Sequence, residues 1–365
     1  MSSTSLRYPF PDPPEPGTTI EVAPGIKWLR MSLPMRLDHI NLYLVDAGAG
    51  WWVIDTGMKV GDTQANWEKV FAEEMGGKPV VAVLCTHMHP DHSGQAGWLC
   101  DRWQAPLYMT RAEYLMGRTL SQSTAEDLSW RYEEFYHLAG RTDFNLESER
   151  RTFRGFGSVV ERYPSAYRRL EDGQVLVIGD RRWRVITGQG HSPDHACLYC
   201  ESLNVLLAGD QVIPRITSNV SVGPMEPDAN PLRLWMDSHR KFLDQLPADA
   251  LVLPSHNKPF YGLHKRLRAL LNHHEDHLLA LEEACVEPQT AIDLLPVLFK
   301  RELDSSQMGL ALGECIAHLH LLIYRGQMAR ELHEDGCYRY TSVDETLPVR
   351  ARPGTHVPLE SPMEV

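Results

Sequence analysis

Three imidazoles and a carboxylate crowd into six positions, His87-Met88-His89-Pro90-Asp91-His92. Core packing gives no reason for such a cluster, whereas imidazole and carboxylate are the ligands of Zn²⁺ and similar borderline metals. His87 and His89 lie two apart and share a face on an extended segment. Asp91 and His92 follow a proline and sit on a turn, from which they can reach a second metal. An apolar run, Val80 to Thr86, leads in and reads as a buried strand. Ser93 to Gly97 leads out as a loop entering a helix. The cluster therefore sits at the carboxyl end of a strand, where open α/β sheets bind their ligands.

Four further segments share this strand-then-ligand character. Trp51-Trp52-Val53-Ile54-Asp55-Thr56-Gly57 is a strand running into a turn. Gly190-His191-Ser192-Pro193-Asp194-His195 carries two histidines. Leu206-Leu207-Ala208-Gly209-Asp210 and Leu251-Val252-Leu253-Pro254-Ser255-His256 are apolar strands that end on an aspartate and a histidine. Taken in this order over residues 40–260, the five segments resemble the metallo-β-lactamase superfamily of metal-dependent hydrolases, and the His-x-His-x-Asp-His hook is similar to that of its glyoxalase II-like branch. The resemblance implies an α/β fold, an αββα four-layer sandwich. It also implies two divalent metal ions, with His87, His89 and His191 on the first, Asp91, His92 and His256 on the second, and Asp210 between them. Zn²⁺ is the default, and Fe or Mn suits the same donors. Two such ions can share and activate one hydroxide, so no serine or cysteine nucleophile is needed. Asp91 and Asp210 are then the carboxylates closest to the chemistry.

Residues around this core have less fixed roles. Asp55 is expected to orient a ligand histidine through its far ring nitrogen. His195 either supports the site or bonds to backbone. The loop after Asp210 starts near the metals and offers Arg215 and Asn219 to a substrate, with Arg215 suited to a carboxylate or phosphate. Lys258, two residues past His256, is a second anion-binding candidate. His39 and Asn41 are placed near the mouth of the site. The histidines at 273, 274, 277, 318 and 320 lack carboxylate partners at metal spacing and read as packing residues.

Composition narrows the classes. The 365 residues carry 36 Lys and Arg against 48 Asp and Glu, a net charge of −12, which argues against a nucleic-acid partner. The seven cysteines are an odd number spread through a long chain, the pattern of a reducing compartment. Cys197 and Cys200 fall in a strand, where their side chains cannot share a face. Met1 to Gly17 is polar and proline-rich with no apolar signal core, and no run of about 18 apolar residues could span a bilayer. A cytoplasmic location with no membrane partner is the expectation.

The elements needed to position the site follow from the periodicity. Residues 1–18 form an extended lead, and 19–260 the catalytic domain. Within it, 111–170 reads as a helical insertion, with Ala125 to Leu138 a helix and Thr110 the N-cap of the helix before it. After Pro259 three helices are expected, Leu263–Val286, Pro288–Lys300 and Ser306–Tyr324, then two short strands. This 261–345 segment resembles a winged helix, as in a β-lactamase-like subgroup that includes a mitochondrial endoribonuclease. Residues 346–365 read as a flexible tail. The long first helix leaves room for a homodimer. The expected activity is hydrolysis of a small-molecule thioester, ester or lactone; the alternative is cleavage of single-stranded RNA.

Overall fold

The computed structural model describes residues 6–344; the expected tail at 346–365 and the first five residues of the lead lie outside the described residues. Two sheets form the centre. The first holds seven strands in chain order, β1 (Ile20–Ala23), β2 (Ile26–Ser32), β3 (His39–Asp46), β4 (Trp51–Ile54), β5 (Val80–Leu84), β6 (Leu107–Thr110) and β7 (Arg168–Leu170). The second holds β8 (Val175–Ile178), β9 (Arg181–Gly188), β10 (His195–Cys200), β11 (Val205–Gly209), β12 (Leu251–Pro254) and β13 (Phe260–Tyr261), also in chain order. Strand alternation sorts side chains between the faces. On β3, Tyr43 and Val45 point between the sheets, where they meet Trp183, Leu198 and Leu207. Ile40, Leu42 and Leu44 point the other way, into an outer core.

Helices cover both outer faces, giving four layers. Over the first sheet lie α1 (Thr63–Glu73), the single turn α2 (Pro90–Ser93), α3 (Ala96–Trp103) and α4 (Arg111–Leu120), whose apolar sides include Trp67, Leu99 and Tyr114. Next in the chain come α5 (Trp130–Leu138) and α6 (Leu146–Thr152). Over the second sheet lie α7 (Pro231–Gln245), α8 (Leu263–Ala284), the short α9 (Leu295–Leu298) and α10 (Ser305–Tyr324), followed by the hairpin β14 (Met328–Leu332) and β15 (Tyr338–Ser342). One apolar cluster joins Leu206 of β11 and Val252 of β12 to Trp235 and Phe242 of α7, then Leu270 of α8, Leu319 of α10 and Tyr340 of β15. The C-terminal helices therefore share a core with the second sheet.

Several expectations are corrected. Residues 168–170 at the end of the insertion form β7, pairing in parallel with β6. The helix expected over 288–300 shrinks to one turn, because Gln289 exchanges both backbone hydrogen bonds with Tyr340 of β15 and is held extended. Thr110 occupies the N-cap position of α4 as expected, but its side chain makes no capping bond; its hydroxyl donates to the Asp194 carbonyl at 2.8 Å instead. The expected 125–138 helix breaks into a 3₁₀ turn (Ala125–Asp127) and α5. Helix α5 leans on the C-terminal half, where Phe135 joins the same cluster as α10 and Tyr340. Cys197 and Cys200 do face opposite cores. Among the described residues no helix is long and apolar enough to cross a membrane.

Candidate metal centre

Every element that carries a candidate ligand ends on the same rim. The hook follows β5, His191 follows β9, Asp210 follows β11 and His256 follows β12. The loops these strands feed bring His87, His89 and His191 together, with His87 Nε2 2.8 Å from His89 Nδ1, His89 Nδ1 3.1 Å from His191 Nε2, and His191 Nε2 3.3 Å from His87 Nε2. Three ring nitrogens thus point at one spot. A second group lies beside it. Asp91 Oδ2 is 3.4 Å from His92 Nε2 and 3.5 Å from His256 Nε2. Asp210 spans the two groups, with Oδ1 3.5 Å from His92 Nε2 and 3.3 Å from His256 Nε2, and Oδ2 3.4 Å from His191 Nε2.

The rings are held from behind. His92 Nδ1 meets Asp55 Oδ2 at 2.8 Å, and Asp55 also accepts from the Thr86 amide at 2.7 Å. His191 Nδ1 donates to the Asn219 carbonyl at 2.7 Å, and His256 Nδ1 to the His39 carbonyl at 2.9 Å. These contacts fix which nitrogen of each ring faces the centre. His195 lies behind Asp210, whose amide donates to its Nε2 at 3.1 Å. Gly209 makes that approach possible: its φ is +53°, and a Cβ there would fall 2.3 Å from His195 Nε2.

Charge divides the centre in two. His87 is held well below the ordinary imidazole range by burial and by its His92 neighbour, and His89 is pushed down to about 3 by burial and by His191. Neutral rings with free lone pairs are what a metal needs. On the other side burial opposes charge, but the carboxylates outweigh it: His92 is raised by Asp91 and Asp210, and His256 is raised to about 10, chiefly by Asp210. Asp91 and Asp210 are both held well below the usual carboxylate range, against the effect of burial, by His92 and His256. His92 Nε2 and Asp210 Oδ1 are buried with no hydrogen-bond partner. Buried polar atoms without partners are rare and costly, and a cation between them would satisfy both. Three sets of donors fit one cation each: His87, His89 and His191; His87, His92 and Asp210; and Asp91, His92 and His256.

The remaining sequence candidates are more dispersed. Asn219 serves through its backbone carbonyl. Lys258 is half-buried and donates to the Pro11 carbonyl, and Arg215 is exposed; both line a recess beside His256 with His39. One group escaped sequence reasoning. Glu113 of α4 is buried and accepts from the Met88 amide at 2.9 Å, the Ser192 hydroxyl at 2.6 Å and the Asp194 amide at 2.7 Å. It ties the hook to the His191 loop. Its only signal in the sequence is an acid on the apolar side of a helix beside Tyr114.

The profile of the metallo-beta-lactamase superfamily matches residues 35–256, more than half of the chain. The chain belongs to the metallo-β-lactamase superfamily. Within that family, residues 278–343 match the metallo-beta-lactamase-like C-terminal domain. A β-lactamase domain protein from Burkholderia ambifaria superposes with a TM-score of 0.86 at 43% identity, covering 92% of this chain and 98% of that one. A metallo-β-lactamase family protein from Thermus thermophilus superposes with a TM-score of 0.72 at 27% identity, covering 87% and 99%. A protein named probable metallo-hydrolase YqjP, from Bacillus subtilis, is 24% identical over 80% of this chain and 91% of its own length. Members of this superfamily use divalent metals, and the donor set here fits them.

Proposed function

We propose that this metallo-hydrolase is dinuclear and acts on small-molecule thioesters, with esters and lactones as close alternatives. The observation that carries the reading is Asp210, whose two oxygens face two separate groups of imidazoles. His87, His89 and His191 would hold one ion, Asp91, His92 and His256 the other, with Asp210 shared; Zn²⁺ is the first choice. Divalent ions bound there would activate water and polarise an acyl carbonyl. Asp55 and the carbonyls of Asn219 and His39 keep the rings aimed. Asp91 and Asp210 stay ionised, which suits them to binding cations and not to donating a proton.

That last point bears on the substrate. A thiolate, whose conjugate acid titrates at about 8.5 in water, leaves without a proton donor, whereas an amine does not. A centre whose carboxylates are both ionised therefore favours thioesters over amides. A relative named atrochrysone carboxyl ACP thioesterase, from Paecilomyces divaricatus, supports the same class at 30% identity over 46% of this chain and 50% of its own length.

The test is a substrate panel on metal-loaded protein. Two ions bound per chain and thioester turnover that falls to background in His89→Ala, with the fold retained, are expected. One ion per chain refutes the dinuclear reading. Cleavage of single-stranded RNA with no acyl turnover would replace this activity with the alternative one.

A further inference from the structure

We propose that Glu113 is a positioning residue for the ion assigned to His87, His89 and His191, and that it acts by fixing the distance between the hook and the His191 loop. The proposal rests on the dinuclear reading above and deepens it. The three ligands come from different sheets. His87 and His89 follow β5 of the first, and His191 follows β9 of the second. An ion held by all three needs their nitrogens placed to within about 0.5 Å, so something rigid must set the gap between the two loops.

Glu113 spans that gap with one fully buried side chain. Its Oε2 accepts from the amide of Met88, the residue between His87 and His89, at 2.9 Å. Its Oε1 accepts from the hydroxyl of Ser192, the residue after His191, at 2.6 Å, and from the Asp194 amide at 2.7 Å. All three partners donate, so each oxygen is committed to one loop. The hook is gripped from its other side as well. Ser93 Oγ donates to the Met88 carbonyl at 2.7 Å and stands 2.6 Å from the Tyr163 hydroxyl. Helix α4 lies close enough to leave the carboxylate no slack: a Cβ on Gly117, one turn beyond Glu113, would fall 2.3 Å from the Tyr163 hydroxyl and 3.0 Å from Met88 Cβ. The other ion does not share this support. Its ligand His92 leans on Asp55 and His256 on the His39 carbonyl, and the Asn41 amide donates to the Ser255 carbonyl beside His256 at 2.6 Å. The two sheets also stay joined without Glu113. The Ala196 amide donates to the Thr86 carbonyl at 2.8 Å, and the Thr110 hydroxyl to the Asp194 carbonyl. Cutting the Glu113 link therefore loosens one ion site and leaves the fold and the other site in place.

Glu113→Gln is the nearly isosteric test. An amide has one acceptor oxygen, so it can serve one loop and must turn its N–H groups toward the donors of the other. The full chain is loaded with Zn²⁺ and stripped by graded chelator, and His89→Ala marks the step that belongs to its ion. Glu113→Gln is expected to weaken that step roughly 10- to 100-fold, the scale for removing a ligand's supporting partner, and to leave the other step where it stands in the wild type. Ser192→Ala removes one donor on the loop side alone and keeps the test open should the first variant not fold; it is expected to shift the same step in the same direction by less. Equal weakening of both steps would show a general loss of packing, and no change in either would show that the loops keep their spacing unaided. Each of these results overturns the proposal. If the wild type binds a single ion, the dinuclear reading fails on its own and Glu113 is judged on that ion. Loss of the ion in His89→Ala together with weaker binding in Glu113→Gln upholds the role, and unchanged binding in Glu113→Gln overturns it.

Discussion

At the scale of single residues, the candidate ligands differ in what supports them. His191 and His256 lean on main-chain carbonyls of Asn219 and His39, whereas His92 leans on a side chain, Asp55. Asp55→Asn replaces one carboxylate oxygen with an amide, which can present its own N–H to the ring or to the Thr86 amide. Metal affinity is expected to fall roughly 10- to 100-fold, the usual effect of removing such a partner, as read by competition with a chelator. Unchanged affinity would mean that Thr86 and packing alone hold the ring. This difference also explains what could be read in advance. Asp55 declares itself by residue type, while a supporting carbonyl can come from any residue, so the parts played by positions 39 and 219 were hidden. Glu113 was hidden by distance, since its partner Ser192 lies 79 residues away. The hook was legible because its four candidate ligands sit within six consecutive residues.

Among elements of the C-terminal half, α10 touches the loop that supports His191. The Val222 amide donates to the Gly313 carbonyl at 3.0 Å, Ser221 Oγ donates to the Leu310 carbonyl at 3.1 Å, and Asn219 Nδ2 donates to Glu314 Oε2 at 3.2 Å. The loop that aims His191 is therefore braced by a helix of the C-terminal half. Burial raises Glu314 to about 8, against the opposing effect of Asn219, where an unfolded chain would release the proton near 4.5. Between these values the folded state binds more protons than the unfolded one. The stability Glu314 contributes is thus complete below the lower value and is lost as pH rises through the upper one. Glu314→Gln keeps an acceptor oxygen and cannot ionise. Its Tm is expected to gain on the wild type steadily from about pH 5 to about pH 8, since other groups titrate alike in both proteins. A constant difference between the two proteins would show that Glu314 is already charged when folded. Periodicity was enough to place this helix within a residue of its observed start, yet Leu310, read as part of its apolar side, is exposed. The shorter α9 shows the other limit: pairing of Gln289 with a strand some fifty residues later overrides local helical pattern.

For the molecule as a whole, the decisive feature is the apolar cluster that runs from β11 and β12 through α7 into α8, α10 and β15. Side chains such as Trp235 and Phe242 contribute about 1.5–3 kcal/mol each when buried, and their partners come from both halves of the chain. Calorimetry is expected to show one cooperative transition. Two resolved transitions would mean that the halves unfold separately. The layered sandwich was legible because strand alternation and the order of motifs both reflect it. The docking of the last helices was not, because an apolar stripe tells that a face is covered and not by what. The shared cluster also limits how this protein can be recombined. A chimera that joined its first 260 residues to the C-terminal half of a distant relative would leave Trp235 and Phe242 facing a foreign helix, and would remove the brace on Asn219 with it. Exchange should succeed only when α7 and the 217–222 loop travel with the grafted part, so the inheritable unit ignores the apparent seam.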